Sequence, residues 1–483
     1  MSDSTIGNFD EPELPTVIEE TKRRFTPLKI VGLVGGLVVI VVVGAIAAFA
    51  LSSGGGAQPE SVLPSDTVAF AKLDLNPSVG QKVDFVRFIS RFPSTFKGFN
   101  SNDPLDSLIK TANLDANINW SDVKSWIGDR YSVAAVESSN GVVPIVVLAV
   151  KDEAAMKYYF AKHDPNLHYA LKSGFVLISE NQATLNLIAS APKTLADDAN
   201  YKSDIAALGG GQVALAWADT KRLVQAEQGL ISDFASESTL STINKTLGSA
   251  SGRLVLGIHF TGNSVAATFL TRGGSASTLT TLAKSQADLS DLPTDTLAGL
   301  SIAGIGEEIA KAINQDSATN GLSSNISVSS ADIKALLSGP ITAIILPSAA
   351  KDGTPLIALR LSPTDSAAAV AAAKRLANDG GLLGSLTGQI QVDGANIYLG
   401  PDQKSISEVV TRIKAKGNLG ETAGYRDAIK SPGFFLTYVN IGKLLPLVGI
   451  KGSFTEINSL GIVASVDKSS PGATKSTLAI SLK

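Results

Sequence analysis

The sequence predicts an α+β protein with an N-terminal single transmembrane helix followed by two tandem copies of an antiparallel-sheet-plus-helices unit. Three observations predict it: an uncharged apolar run near the N-terminus, a Leu-Pro-x-Asp-Thr motif that occurs twice, and the same order of hairpins and helices after each motif. We divide the chain into a cytoplasmic tail (1–29), a span (30–51), a linker (52–60), a first repeat (61–289) and a second repeat (290–483).

The run from Ile30 to Leu51 contains no charged side chain. A transmembrane helix needs roughly 20 apolar residues to cross the hydrocarbon core. Ala48-Phe49-Ala50 also fits a signal-peptidase site, so a cleaved signal peptide is the alternative. The run is longer than the roughly 7–15 apolar residues of a signal peptide, and a long acidic segment precedes it. Both features favour a retained anchor.

Basic residues set the expected orientation of this span. Lys22, Arg23, Arg24 and Lys29 lie just before it, whereas the next basic residue after it is Lys72. Basic residues within about 15–20 positions of a span stay in the cytoplasm. We therefore expect a cell-membrane protein with a cytoplasmic N-terminus and an extracytoplasmic C-terminal region. The Gly/Ser-rich stretch 52–57 predicts a flexible linker, and the acidic tail predicts disorder.

The two repeats begin at Leu63 (LPSDT) and Leu292 (LPTDT). In the first, apolar runs flank Asn140-Gly141, and a second hairpin is predicted around Ser173-Gly174; Asn-Gly is a strong hairpin signal because both residues accept positive φ angles. The second repeat has the same elements around Asp352-Gly353 and Asp393-Gly394.

Each first hairpin is followed by an Ala-rich helical stretch and each second hairpin by another helix. Next come a tyrosine segment that aligns Tyr201 with Tyr425, a strand running into a helix, and two closing strands. Hairpins with intervening helices predict antiparallel sheets with helices on one face, rather than regular parallel crossovers.

Composition excludes several functions. The chain has no cysteine, which excludes a lipidated cysteine, disulfides and thiol chemistry, and its net charge of −3 gives no electrostatic basis for binding nucleic acid. No Gly-x-Ser-x-Gly elbow or phosphate loop occurs. We assign no catalytic residue, cofactor or metal, although an enzyme is not excluded.

Weak chemical patterns have plainer interpretations. Ser-x-x-Lys spacings, for example at Ser107 and Ser121, recur throughout a serine-rich chain and lack their partner motifs. His163 and His168 flank Asp164 but lack the i, i+4 spacing of a helical metal pair. Arg130, in a turn-like site beside Asp129, is predicted to form an ion pair or to contact a ligand.

Phenylalanines recur at helical spacing in one segment: Phe85, Phe88, Phe92, Phe96 and Phe99. Asn76 as N-cap and Pro77 at the first position would begin this helix. A helix that buries its rings against a sheet is the plainest interpretation. The alternatives are an apolar or lipid contact, either as an acyl-chain pocket or on the membrane surface.

Within the span, Gly32 and Gly36 have the small-residue spacing that lets two helices approach closely. They predict a helix-dimer seam and hence a homodimer, although glycine is also common in spans for other reasons.

The segments LPSDTVAFAKLDLNPSVGQKVDFVRFISRFP, WIGDRYSVAAV and PIVVLAVKDEAAM, behind an N-terminal span, resemble the domain-of-unknown-function 3352 family, found chiefly in actinobacterial envelopes. The resemblance is clearest from Leu63 to Lys162. It implies a membrane-anchored external protein and carries no catalytic residues.

The function predicted from these observations is a membrane-anchored extracytoplasmic binding or scaffolding protein of the bacterial cell envelope. Its expected partners are the lipid bilayer, through residues 30–51, and an envelope protein, lipid or wall polymer. An envelope enzyme acting on wall polymer or lipid, or a lipid-binding or transfer protein, is the alternative.

Overall fold

The structure is a computed structural model. It describes residues 56–92, 120–138, 141–226, 252–310, 329–348, 354–378, 389–415, 418–447, 456–467 and 472–483, except 224, 274–280, 283 and 308. The predicted span, with Gly32 and Gly36, lies outside these residues, as do Phe96 and Phe99. Within the described part, no helix is long and apolar enough to cross a membrane.

The strands of the described residues form one 16-stranded antiparallel sheet, with the strand order β12-β13-β11-β10-β9-β14-β15-β16-β8-β7-β6-β1-β2-β3-β5-β4. We call residues 56–273 the first half and 281–483 the second half. The first half contributes β1 (Thr67–Asp74), β2 (Ile127–Ser138), β3 (Gly141–Val150), β4 (Tyr169–Lys172), β5 (Phe175–Ile178), β6 (Ala214–Asp219), β7 (Arg253–Thr261) and β8 (Ser264–Arg272). The second contributes β9 (Ala298–Ile302), β10 (Ile341–Leu346), β11 (Leu356–Leu361), β12 (Gln389–Asp393), β13 (Asn396–Gly400), β14 (Phe435–Val439), β15 (Ile457–Val466) and β16 (Ala473–Leu482).

Helices lie between the strands in both halves. In the first half they are α1 (Val79–Ile89), α2 (Trp120–Lys124), α3 (Glu153–His163), α4 (Gln182–Ser190) and α5 (Ala199–Leu208). In the second they are α6 (Ser330–Leu336), α7 (Ser366–Asn378), α8 (Gln403–Lys414), α9 (Ala423–Ala428) and α10 (Ile441–Leu447). Short 3-10 turns occur at Pro59–Ser61, Leu195–Asp197 and Leu419–Glu421. The predicted mixed α+β class is confirmed.

The two halves have the same strand order when each is read outward from the β8–β16 junction. Their strand registers also agree. Phe70 and Gly299 lie at the same distance from the Leu-Pro-x-Asp-Thr motif of their half. Phe70 pairs with Trp217, and Gly299 pairs with Tyr438. Position-by-position equivalences between the halves therefore follow from the strand pairings.

The junction itself is symmetric. In the first half Leu270 pairs with Val255, and in the second half Ala479 pairs with Gly461, so Leu270 and Ala479 are equivalent. Two residues earlier on the same strands, Thr268 and Thr477 are therefore also equivalent. These two threonines pair with each other across β8 and β16. Their hydroxyl oxygens are 3.3 Å apart. Equivalent residues that face one another mark a local twofold axis, as in an isologous dimer interface.

The Leu-Pro-x-Asp-Thr motif forms the same turn in both halves. The Pro64 carbonyl accepts bonds from the Thr67 backbone amide (3.1 Å) and hydroxyl (2.7 Å). The Pro293 carbonyl accepts the equivalent bonds from Thr296 at 3.0 and 2.6 Å. Both threonines are fully buried. The motif thus satisfies buried polar groups just before the first strand of each half.

Turn chemistry explains the outer hairpins. Ser173 (φ 48°) and Gly174 (φ 81°) form a two-residue loop between β4 and β5. Two consecutive positive φ angles are typical of the tight turn that matches strand twist. The loop between β12 and β13 is equally short and begins at Gly394 (φ 59°).

Helices cover both faces of the sheet, so the predicted placement of the helices on one face is wrong. On the face that we call the α5 face, α4 and α5 pack in the first half, where Leu185, Ile188 and Tyr201 contact Ile145 and Leu177. Helices α8 and α9 pack on the same face in the second half. On the opposite face, the α1 face, α1 packs on Phe260, α3 on Val176, and α7 on Leu361.

Candidate functional site: an apolar cavity in the first half

A cavity of about 490 Å³ lies on the α1 face of the first half. Among the described residues, side chains of β1, β2 and β3 form its floor, and the loop after α3 and the end of β5 form its rim. Its volume lies within the roughly 300–1,000 Å³ of small-molecule sites. The site therefore has the size and the concave shape that an apolar ligand requires.

Small side chains create this space. Ala69 and Ala71 on β1 and Ala135 on β2 lie on the floor, where Ala69 pairs with Ala135 and Ala71 with Val133. Pro144 and Val146 continue these two rows on β3. Alternate residues of a strand point to the same face, so alanine at these positions leaves room above the sheet.

Three floor positions carry larger side chains in the second half, whereas Ala69 corresponds to another alanine, Ala298, and Val133 to the smaller Ala343. Ala71 corresponds to Leu300 and Ala135 to Ile345, because these residues hold the same places where the first two long strands of each half pair. Pro144 corresponds to Ile357, because Pro144 pairs with Ala135 as Ile357 pairs with Ile345. Leu300 is 38% exposed and Ile357 is 50% exposed. Exposed apolar side chains therefore stand in the second half where the first half has a cavity.

The rim is polar. Asp164, Asn166 and His168 follow α3, and Ser179 and Glu180 follow β5. The Ser179 backbone amide donates to the His168 carbonyl at 3.2 Å, which holds the two rim segments together. Asp164, Asn166, His168 and Glu180 are exposed. Two carboxylates beside an apolar floor favour a ligand with an apolar body and an uncharged or cationic head.

The predicted phenylalanine helix exists as α1, but it begins later than predicted. Ser78, not Asn76, is the N-cap, and the Asn76 side chain instead accepts a bond from the Lys82 ammonium group at 2.6 Å. Lys82 is buried, and burial lowers its pKa, although Asp129 and Asp74 act in the opposite direction. The need of this ammonium group for an oxygen partner accounts for the different use of Asn76.

The rings of Phe85 and Phe88 are part of the core. Phe85 is fully buried, and each ring centroid lies 5.3 Å from that of Phe260 on β7. Phe92 is half-buried and lies 5.3 Å from Phe88. None of these three rings lines the cavity, which lies on the same face of the sheet.

The histidines do not form a metal site within the described residues, where no group of three or more His, Cys, Asp or Glu side chains could hold an ion. The His163 ring stacks on Tyr159 with centroids 4.6 Å apart, and its Nε2 is 3.8 Å from Asp122. His168 lies on the cavity rim. Arg130 pairs with Asp74 at 3.3 Å rather than with its neighbour Asp129.

No single motif of the sequence indicates the cavity. The available signal was a difference between the halves: Ala71 on β1 and Ala135 on β2 correspond to Leu300 and Ile345, although Ala69 corresponds to Ala298. That comparison needs a strand register, which the structure supplies.

No family model matches the chain, and no curated protein matches it in sequence. Crystal form III of TP0453 is similar to it with a TM-score of 0.23 and 11% identity, covering 45% of this chain and 81% of that one. Crystal form IV has a TM-score of 0.23 and 10% identity over 44% and 80%. Form I has a TM-score of 0.17 and 9% identity over 75% and 100%. Likenesses this weak carry no argument about fold or function.

Proposed function

We propose that the protein is a membrane-anchored, extracytoplasmic binding protein whose first half holds an apolar ligand with an uncharged or cationic head. The observation that carries this proposal is the alanine-floored cavity with its carboxylate-bearing rim. A lipid or another long-chain envelope molecule has the required chemistry. The anchor is residues 30–51, whose charge-free sequence supports a single span with the N-terminus inside.

We also infer that the two halves arose by duplication. The matching strand order, the shared Leu-Pro-x-Asp-Thr turn and the twofold arrangement at Thr268 and Thr477 support this origin. The α1 faces of the two copies differ at three floor positions, where the first half has Ala71, Ala135 and Pro144 and the second half has Leu300, Ile345 and Ile357. The binding role is accordingly assigned to the first half alone.

Photo-crosslinking tests the binding site. The full chain in vesicles is exposed to a long-chain alcohol that carries a photoactivatable diazirine, and labelled peptides are identified by mass spectrometry. We expect labelling of the peptides that contain β2 and β3. Ala135→Ile copies the second half, fills the cavity and should abolish this labelling, and Pro144→Ile should reduce it.

The matched control is Ala343→Ile, which makes the same change at the position of the second half equivalent to Val133. It should leave the labelling unchanged. A fatty acid with the same diazirine should label less than the alcohol, because its carboxylate would meet Asp164 and Glu180. Equal labelling of wild type and Ala135→Ile, with both folded by circular dichroism, would reject the cavity as the binding site.

A further inference from the structure

Helix α1 has a second apolar stripe on its outer side. Val79, Val83 and Val86 are 62%, 47% and 39% exposed. Their spacing of four and three residues places them on one face of the helix. Single exposed apolar residues are ordinary on a protein surface, but a contiguous stripe marks an interaction site.

The inner side of α1 is fixed, so the valines cannot turn inward. The Gln81 side-chain amide donates to the Phe260 carbonyl at 2.7 Å and accepts from the Phe260 backbone amide at 2.8 Å. Phe85 and Phe88 pack against the Phe260 ring from the same side. The valine stripe therefore faces away from the sheet.

The start of α1 lies beside the point where the chain arrives from the predicted span. Arg130 donates to the Ala57 carbonyl at 3.4 Å and to the Asn76 carbonyl at 3.3 Å. A Cβ on Gly56 would lie 3.2 Å from the same guanidinium group. Only two residues separate Asn76 from Val79, the first residue of α1. The guanidinium group of Arg130 therefore joins the beginning of α1 to the segment that arrives from the span.

The tether is short. Only residues 52–55 separate Leu51 from Gly56, and a fully extended chain covers at most about 3.6 Å per residue. Gly56 must then lie within about 18 Å of the end of the span. Such a tether keeps α1 at a high effective concentration near the bilayer, so that even a small apolar area suffices for contact.

The residues beside the stripe suit a membrane surface. Arg87 is exposed and pairs at 3.2 Å with Asp84, which carries the one carboxylate in the sequence of α1. Ser90 continues the outer face. An apolar stripe flanked by arginine is the pattern of a helix that lies in the interface plane.

We propose that the outer face of α1, formed by Val79, Val83 and Val86, rests on the outer surface of the same bilayer in which residues 30–51 are anchored. This inference rests on the proposed anchor and is independent of the cavity. It assigns the membrane contact to the valine stripe and leaves the phenylalanines of α1 in the core. The contact would hold the α1 face of the first half, and hence the cavity, close to the lipid.

Single cysteines test the proposal, because the natural chain has none. The full chain is reconstituted in vesicles of phosphatidylcholine and phosphatidylglycerol, and an environment-sensitive fluorophore is attached at Val83→Cys. Leu187→Cys, on the exposed side of α4 and 63% exposed, is the matched control on the opposite face. Ile40→Cys reports on the span.

Interfacial helices sink about 5–10 Å into the headgroup and acyl boundary. We expect nitroxide lipids labelled near the head of the acyl chain to quench the fluorophore at position 83 and not that at position 187. Nitroxide near the end of the chain should quench only position 40.

Three results would overturn the proposal, and they have different meanings. Quenching at position 40 with water exposure at position 83 rejects the membrane contact and leaves the anchor intact. No quenching at position 40 rejects both. If the labelled protein is not quenched and unlabelled Val83→Cys treated with a mild oxidant forms disulfide-linked dimers, the stripe belongs to a contact with a second copy of the chain.

Discussion

The two halves differ most where a helix of the α5 face meets the sheet. In the first half, the carboxylate of Asp204 is fully buried and accepts bonds from Trp217 (3.0 Å), Arg253 (2.6 Å) and Arg272 (2.9 Å). The second half has small residues at the equivalent positions. Ala428 replaces Asp204, Ser459 replaces Arg253 and Ser481 replaces Arg272. There the Ser459 hydroxyl bonds to the Ser481 hydroxyl at 2.5 Å and donates to the Gly424 carbonyl at 2.7 Å.

The first-half cluster also crosses the junction. Arg272 donates to Asp467 of the second half at 3.3 Å. The second half buries its own arginine elsewhere: Arg360 stands at the position of Val147 and bonds to Asp291 at 3.0 Å. The same strand order is thus compatible with a buried charged cluster in one half and with serine hydroxyls in the other. Backbone pairing sets the topology, and each buried polar side chain needs only hydrogen-bond partners close to it.

Removing the Asp204 carboxylate should have the largest effect on stability. Asp204→Ala takes this acceptor from the buried guanidinium group of Arg272 and from the partly buried one of Arg253, and breaking a buried pair from one side costs about 3–5 kcal/mol. The measurement is urea unfolding of the full chain in nanodiscs, followed by tryptophan fluorescence and circular dichroism. Ser459→Ala, the counterpart, should cost about 1–3 kcal/mol.

The triple variant Asp204→Ala with Arg253→Ser and Arg272→Ser copies the second half and tests the explanation. It should be more stable than Asp204→Ala alone, because no buried charge remains unpaired. If the triple variant is less stable than the single one, the two halves are not interchangeable at these positions.

An intermediate effect is expected at Gly299, which is equivalent to Phe70. A Cβ there would lie 3.1 Å from Leu289 Cδ2 and 3.2 Å from Leu292 Cδ1. Overpacking of a filled site costs about 1–3 kcal/mol, so Gly299→Ala should destabilise the second half by that amount. Gly80→Ala on α1, where no atom lies within 4 Å of the added Cβ, is the control.

Gly80→Ala should stabilise the protein by roughly 0.5–1 kcal/mol, because glycine inside a helix is unfavourable. A neutral Gly299→Ala would mean that Leu289 and Leu292 shift freely, and that the second half has as much room at this position as the first.

The smallest effect concerns pH. His259 on β7 is half-buried, its Nδ1 has no hydrogen-bond partner, and burial lowers its pKa, with a smaller contribution from Lys475. Because the folded state binds the proton less well than the unfolded state, stability should decline as pH falls below about 6.5. The equivalent residue in the second half is serine (Ser465).

His259→Ser should therefore flatten the dependence of the urea midpoint on pH between neutral pH and the folded-state pKa of His259. Ser465→Ala, which changes the equivalent position of the second half and removes no titratable group, is the control and should leave the slope unchanged. An identical slope in wild type and His259→Ser would show that other groups cause the acid sensitivity.

Local signals in the sequence determined much of this fold. The two Leu-Pro-x-Asp-Thr motifs, the Ser173-Gly174 turn and the phenylalanine spacing each depend on residues a few positions apart, so they predict turns, hairpins and a helix without tertiary information. The anchor prediction depends likewise on local composition. Both ends of α1 were misplaced: Asn76 bonds to Lys82 instead of capping the helix, and the helix ends at Ile89, before Phe92.

Tertiary structure alone decided what depends on distant pairings. The predicted repeats join into one sheet because β8 pairs with β16, strands some 200 residues apart. The cavity exists because the alanines of β1 and β2 come into register, and the Asp204 cluster because a helix places a carboxylate above β7 and β8. Such contacts require side chains that no local pattern links, so the sequence alone determined the elements, and their long-range pairing determined the sites.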